Sequence, residues 1–168
     1  EEFRLLAAGT EEQRVAVIVA RAGSEGANIT RLVMRTGLAE GRLRKIIDAM
    51  LNARQVVLLD SETLLVVSAA AYASLQEQLL RKLGGYHEKN PLREGMPKEE
   101  LRMNVGAFIQ AKLFNKALKD LEKVGKVVLE REAVRLPEHQ VRLEEDLETL
   151  KGRILELYLQ AGLTPPTI

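Results

Sequence analysis

The sequence has no cysteine, no tryptophan and only two histidines among 168 residues. Without cysteine there are no disulfide bonds and no thiolate zinc sites. Because His87 and His139 lie far apart in the sequence, we predict no metal site. Aromatic residues make up 4% of the chain, too few for a platform that stacks single-stranded nucleic acid. We expect most of them in the core: Phe3, Tyr72, Tyr86, Phe108, Phe114 and Tyr158.

Long apolar runs are also missing. No run approaches the roughly 20 residues that span a bilayer, and the start, Glu1-Glu2, does not resemble a signal peptide. A hydrophobic fraction of 46% with 29% charged residues is typical of a folded, soluble protein. The first residue is not Met and the chain ends in Pro165-Pro166-Thr167-Ile168, so we expect a cytoplasmic fragment of a longer protein.

Catalytic motifs are absent as well. The segment Gly23-Ser24-Glu25-Gly26 lacks the Lys-Ser/Thr of a phosphate-binding loop. No serine has a nearby histidine that could serve as its base, and Glu99-Glu100 suit the first turn of a helix, where negative charge complements the helix dipole. We therefore predict that this chain is not an enzyme.

What the sequence does contain is a repeated pattern of helices and hairpins. Thr10 and Gln13 form a capping box before a helix that ends near Gly23. A shorter helix, about 29–35, is closed by Gly37. A third helix then shows an apolar stripe, followed by a predicted hairpin of residues 56–59 and 63–67. The stripe consists of Leu43, Ile46, Ile47, Met50 and Leu51.

The same order recurs about 70 residues later. Ser68 is the expected cap of a long apolar-striped helix, in which Gly84-Gly85 predicts a kink or an early end. A helix from Lys98 to Met103, a further helix and a hairpin of residues 127–129 and 133–136 follow. The inward positions predicted for that further helix are Phe114, Ala117, Leu118, Leu121 and Val124. The fold class is therefore mainly α with small β-hairpins (α+β), as tandem winged-helix domains.

A final apolar stripe predicts one more helix, which must bury that face against the second module or another copy of the chain. Its members are Leu143, Leu147, Leu150, Ile154, Leu157 and Ala161. The predicted domains are thus a first module, 1–67, a second, 68–136, and the first helix of a truncated third, 137–168.

The sequence of the junction from Tyr86 to Arg102 is more specific than a turn between two helices requires, since many combinations of glycine and proline would form such a turn. Within it, the segment NPLREGMPKEELR resembles the junction inside the second tandem winged-helix module at the C-terminus of the selenocysteine-specific elongation factors, the SelB family. The resemblance covers almost the whole chain, and this junction is its strongest motif.

The resemblance implies a function. In that family, the full-length protein delivers selenocysteinyl-tRNA to the ribosome at UGA codons, and GTP and Mg²⁺ are expected in domains upstream of this segment. The messenger hairpin is held by the last winged-helix module, which this chain is expected to lack. These residues would form an arm between the two ends, with possible contact to ribosomal RNA. A winged-helix DNA-binding transcription regulator is the alternative, and a protein-interaction scaffold a third possibility.

Basic residues on two of the predicted helices are the candidates for contact with RNA. The second module carries an excess of four positive charges, whereas the first is neutral. Four lysines lie on one face of the third helix of the second module, and three basic residues lie on the third helix of the first. A solvated helix face is the alternative interpretation of both sets. The candidates are Lys112, Lys116, Lys119 and Lys123, with Arg42, Arg44 and Lys45.

Overall fold

A computed structural model describes residues 9–106, 109–139 and 143–161, the last range with side chains for 150–159 only. The helices and strands follow the predicted order twice and end in a single long helix. Their bounds are α1 Glu11–Ala22, a 3-10 turn Gly23–Glu25, α2 Ile29–Thr36, α3 Glu40–Asn52, β1 Val56–Asp60, β2 Leu65–Ser68, α4 Ala69–Lys89, β3 Met96–Pro97, α5 Lys98–Val105, α6 Ala111–Lys123, β4 Val128–Glu130, β5 Ala133–Arg135 and α7 Leu143–Ala161. No helix among these residues is long and apolar enough to cross a membrane.

The helix ends of the first module follow local sequence signals. The Thr10 hydroxyl accepts a hydrogen bond from the Gln13 N–H at 3.3 Å, and the Gln13 side chain accepts one from the Thr10 N–H at 2.9 Å. This confirms the capping box. Asn28 caps α2 through the N–H of Arg31 at 2.8 Å, and Gly37 ends it in the left-handed region with φ 70°.

The second module contains a strand that the sequence did not predict. Met96 and Pro97 form β3, which pairs antiparallel with Val134 and Ala133 of β5 and completes a three-stranded sheet. In the first module, the corresponding edge is a single bridge between Ala27 and Val66, outside the two-stranded β1–β2 sheet. In both modules the hairpin therefore pairs with the segment that precedes the second helix.

Of the kink or early end predicted at Gly84-Gly85, the early end is wrong, because α4 continues to Lys89. Leu83 and His87, on either side of the glycine pair, are both buried. Their packing outweighs the cost of about 1 kcal/mol per helical glycine. Ser68 caps this helix as expected, accepting a hydrogen bond from the Ala71 N–H at 3.2 Å.

Two predicted core positions are wrong. Val124 is 66% exposed, because α6 ends at Lys123 and helical spacing no longer applies beyond that residue. Tyr158 is 57% exposed on α7. Phe3 and Phe108 lie outside the described residues.

The hairpins also differ slightly from their predicted bounds. In the first, β2 begins at Leu65 rather than residue 63. The Asp60 carboxylate explains the longer turn, since it accepts hydrogen bonds from the Glu62 N–H and the Thr63 hydroxyl. The second spans residues 128–130 and 133–135 rather than 127–129 and 133–136.

The apolar face of α7 has no cover among the described residues. Leu150, Ile154 and Leu157 are 53%, 45% and 60% exposed. The expectation that this stripe packs on the second module is therefore not met at these positions. The side chains of Leu143, Leu147 and Ala161 lie outside the described residues.

Candidate functional site

The junction between the modules is built on the hairpin β1–β2, which serves two hydrophobic cores at once. Val56, Val66 and the partly buried Leu58 pack into the core of the first module. Val67 belongs to the core of the second, against which Val57 and Leu59 also pack. Successive side chains of a strand point to opposite faces, so one hairpin is the common wall of both cores.

Polar contacts strengthen this junction on either side of the hairpin. The Lys112 ammonium on α6 lies 3.0 Å from the Asp60 carboxylate at the end of β1. The Gln110 side chain donates a hydrogen bond to the Glu25 carbonyl at 2.9 Å. The Ala69 N–H, at the start of α4, donates to the Gln55 carbonyl at 2.8 Å. The second module is thus bonded to the first through three separate segments.

The contact with Lys112 changes the electrostatics of Asp60. Hydrogen bonds from Lys112 and from the Thr63 hydroxyl lower the pKa of this carboxyl below its usual range. The pairing keeps Asp60 ionised and directs the Lys112 charge toward the first module. Lys112 therefore has a structural partner within the chain.

Two more lysines of the predicted stripe share an acidic neighbour on the same helix. Lys116 and Lys123 lie 3.3 Å and 3.5 Å from the Asp120 carboxylate. The Tyr72 hydroxyl donates a hydrogen bond to the same carboxylate at 2.8 Å and so joins α4 to α6. Although burial alone would raise it, the pKa of Asp120 is lowered by the hydrogen bonds from Tyr72 and Lys116. The i, i+4 spacing of Lys116 and Asp120 was a signal for this pair in the sequence.

The seven candidate residues do not form one uncompensated basic surface. Arg42 lies 2.7 Å from Glu11, and Arg44 lies 2.6 Å from Glu40. Within the described residues, Lys119 and Lys45 make no ion pair. Their role in RNA contact, like that of the other five, stays a prediction.

His87 and His139 lie far apart in the sequence, but they are in contact in the folded chain. Their rings stack with centroids 3.7 Å apart. His87 Nε2 accepts a hydrogen bond from the Leu136 N–H at 3.3 Å, and His139 Nε2 lies 2.7 Å from the Arg93 carbonyl oxygen. Burial, with smaller contributions from His139 and Arg135, lowers the pKa of His87 to about 4. The stacked pair joins the segment after β5 to α4.

Comparisons with known proteins match this architecture. A family model described as "Elongation factor SelB, winged helix" matches residues 80–136. The chain is also 30% identical over 167 residues, 99% of its length, to a selenocysteine-specific elongation factor from Desulfomicrobium baculatum. It spans about a quarter of that relative, 26% of its length. The junction 86–102 lies inside the matched range.

Proposed function

Because the chain belongs to the winged-helix region of the SelB elongation-factor family, we propose that it is a stiff spacer within such a factor. In this proposal, its two modules hold the tRNA-delivering end at a fixed distance from a messenger-binding end during selenocysteine incorporation at UGA codons. The chain itself carries out no chemistry, and GTP and Mg²⁺ are bound by other parts of the full-length factor. The working location is the cytoplasm, with the ribosome as partner.

The shared hairpin is the observation that supports a spacer. Modules joined by a flexible linker are free to reorient, and their relative motion is the usual expectation when the interface between them is small and polar. Here β1–β2 contributes side chains to both cores, and α4 begins at the residue after β2. Reorienting one module would require the hairpin to leave one of its two cores.

The polar contacts around the hairpin β1–β2 also support a spacer. The pair Lys112–Asp60 and the hydrogen bond from Gln110 to Glu25 join α6 and the segment before it to two different parts of the first module. Each is weak by itself, since exposed ion pairs contribute at most about 1 kcal/mol. Together with the buried valines, they oppose both bending and twisting.

The alternative of a DNA-binding transcription regulator is not favoured, because the matched family and the relative are both elongation factors. Such regulators usually place two recognition helices on two half-sites as dimers. In the first module, two of the three predicted basic residues on α3 are paired with glutamates. A spacer accounts for that neutralised surface more directly.

The proposal is tested by making the connection between the two modules more flexible in the full-length factor. A short Gly-Ser insertion after Ser68, the last residue of β2, lengthens the connection to α4 while leaving both hairpin strands intact. We expect selenocysteine incorporation at an in-frame UGA, scored with a reporter, to fall strongly, while binding of GTP and of selenocysteinyl-tRNA is unchanged.

The matched control places the same insertion between Pro91 and Leu92, in an exposed turn of the second module outside the hairpin β1–β2. We expect incorporation to stay near the unmodified level. Equal incorporation by both insertion variants would show that stiffness between the modules is not required.

A further inference from the structure

An arginine-lined cavity lies between α1 and α2 of the first module. Its volume is about 490 Å³, and four of the six described residues that line it are arginines. Arg14, Ile18 and Arg21 occur at i, i+4 and i+7 and so share one face of α1. Arg31 and Arg35, one turn apart on α2, face them, and Thr36 completes the lining. We name this cavity the arginine cleft.

The arginine cleft concentrates positive charge in a module that is neutral overall. Among the described residues that line it, none is acidic. Glu25 approaches from the rim and lies 3.4 Å from Arg31. Arg14 and Arg35 make no ion pair within the described ranges. Because guanidinium groups stay charged at any physiological pH, Arg14 and Arg35 bring to the cleft two positive charges that no carboxylate of the described residues neutralises.

One buried donor in the arginine cleft lacks a partner. The Nε of Arg14 is buried and makes no hydrogen bond. Buried N–H groups in native proteins are nearly always bonded, so an unpaired one calls for an explanation. An anion entering the cleft would supply the acceptor that Arg14 lacks.

We propose that the arginine cleft binds backbone phosphates of an RNA strand. The planar guanidinium matches phosphate oxygens with two parallel hydrogen bonds, and arginine is enriched where such recognition matters. The apolar contact of Ile18 is a surface against which a ribose or base edge can rest. The choice of RNA rests on the proposed function, because a spacer in a translation factor works beside RNA.

The arginine cleft also differs from the surfaces predicted from sequence. Five of the seven predicted basic residues are paired with carboxylates of the chain. The cleft, by contrast, is concave, and a carboxylate of the described residues lies within ion-pair distance of Arg31. That carboxylate belongs to Glu25, whose carbonyl also accepts the hydrogen bond from Gln110. An RNA strand held there would therefore lie beside the joint between the modules.

The test measures binding of the 168-residue chain to a fluorescently labelled, mixed-sequence single-stranded RNA across a series of salt concentrations. For Arg14→Gln/Arg35→Gln, we expect affinity to fall about tenfold or more per arginine. The slope of log affinity against log salt should decrease by about 1.4, since each lost phosphate contact removes about 0.7. Arg14→Lys/Arg35→Lys, which keeps the charge and loses the planar fork, should bind with intermediate affinity.

The matched control is Lys126→Gln/Arg153→Gln, which removes the same charge from exposed positions outside the cleft. It should change affinity less than threefold. Because Arg14 is partly buried, the exposed Arg35→Gln is tested alone as well, and thermal melting verifies that every variant is folded. Inorganic phosphate, GTP and polyglutamate serve as competitors, and each is expected to compete much more weakly than unlabelled RNA.

Three results would overturn the inference. The first is an absence of salt-dependent RNA binding by the unmodified chain. The second is equal affinity of the cleft and control variants for RNA. The third is competition by GTP or polyglutamate as strong as that by RNA, which would assign the cleft to a free nucleotide or an acidic protein. The stiffness of the spacer is measured without RNA, so none of these results bears on it.

Discussion

Val66 and Val67 are neighbours in the sequence and both are completely buried, yet they belong to different hydrophobic cores. Val66 shares its core with residues of α1, α2 and α3, whereas Val67 shares its core with residues of α4, α5 and α6. The register of β2 against β1 makes this possible, with Leu58 opposite Val66 and Val57 opposite Val67. A one-residue slip of this register would exchange the two faces and disrupt both cores.

The first prediction concerns the shared wall. Val67→Ala should lower the free energy of unfolding by about 1.5–3 kcal/mol, through lost burial and the cavity left behind. Amide hydrogen exchange should show weakened protection in β1 and β2 as well as in α4. If the protection against exchange weakened only in α4 and the elements after it, the hairpin would not be shared by the two cores. Val134→Ala, in the core of the second module on β5, is the comparison, and it should leave the protection of β1 largely unchanged at the same denaturant concentration.

The second prediction concerns the pair formed by Lys112 and Asp60, which joins the two modules. In a double-mutant cycle of Lys112→Met and Asp60→Asn, we expect a coupling energy of about 0.3–1 kcal/mol in the free energy of unfolding. The coupling should shrink at high salt because the pair is partly exposed. Asparagine is chosen because its amide oxygen can still accept a bond in the turn at residues 60–63. A coupling energy of zero would remove Lys112 from the set of contacts between the modules.

The third prediction compares two glycines with positive φ. A Cβ at Gly26 would lie 2.8 Å from the Val66 carbonyl oxygen, whereas a Cβ at Gly37 would meet nothing within 4 Å. Gly26→Ala should therefore cost roughly 2–5 kcal/mol from backbone strain and overlap together. Gly37→Ala should cost about 1 kcal/mol from its left-handed backbone alone. Denaturant unfolding of both variants tests the difference, and equal costs would show that the bridge between Ala27 and Val66 is not tight.

The fourth prediction concerns pH. Because the pKa of His87 is lowered to about 4 in the folded chain, the unfolded chain takes up this proton first, at its ordinary value near 6.5. Stability should be complete above about pH 6.5 and should decline as the pH falls toward 4. His87→Gln, which keeps an acceptor for the Leu136 N–H, should flatten the dependence of unfolding free energy on pH between 5 and 6.5. An unchanged slope in that variant would mean that another group titrates there.

Much of the fold was predictable because its signals are local. Thr10, Gly37 and Ser68 are cap residues whose effect is decided by the few residues beside them. The apolar stripes of α3, α4 and α6 likewise follow from helical spacing. The family followed from one junction, residues 86–102.

What could not be predicted depends on contacts between distant residues. Two residues, Met96 and Pro97, are too short a segment to show strand periodicity, and their pairing with β5 is decided by the folded second module. The stacking of His87 on His139 and the pairing of Lys112 with Asp60 each join segments about 50 residues apart. The arginine cleft exists only once α1 and α2 pack together, although the spacing of Arg14 with Arg21 and of Arg31 with Arg35 hinted at two basic helix faces.

The most direct test of the stiff spacer is the distance between spin labels placed in the two modules. The chain has no cysteine of its own, so Asp48→Cys/Glu122→Cys attaches labels to exposed sites on α3 and α6 only. Double electron–electron resonance should give a single narrow distance distribution, as narrow as that of the within-module pair Glu12→Cys/Asp48→Cys. A distribution between the modules that is much broader than that of the within-module pair, or that has several peaks, would contradict the account.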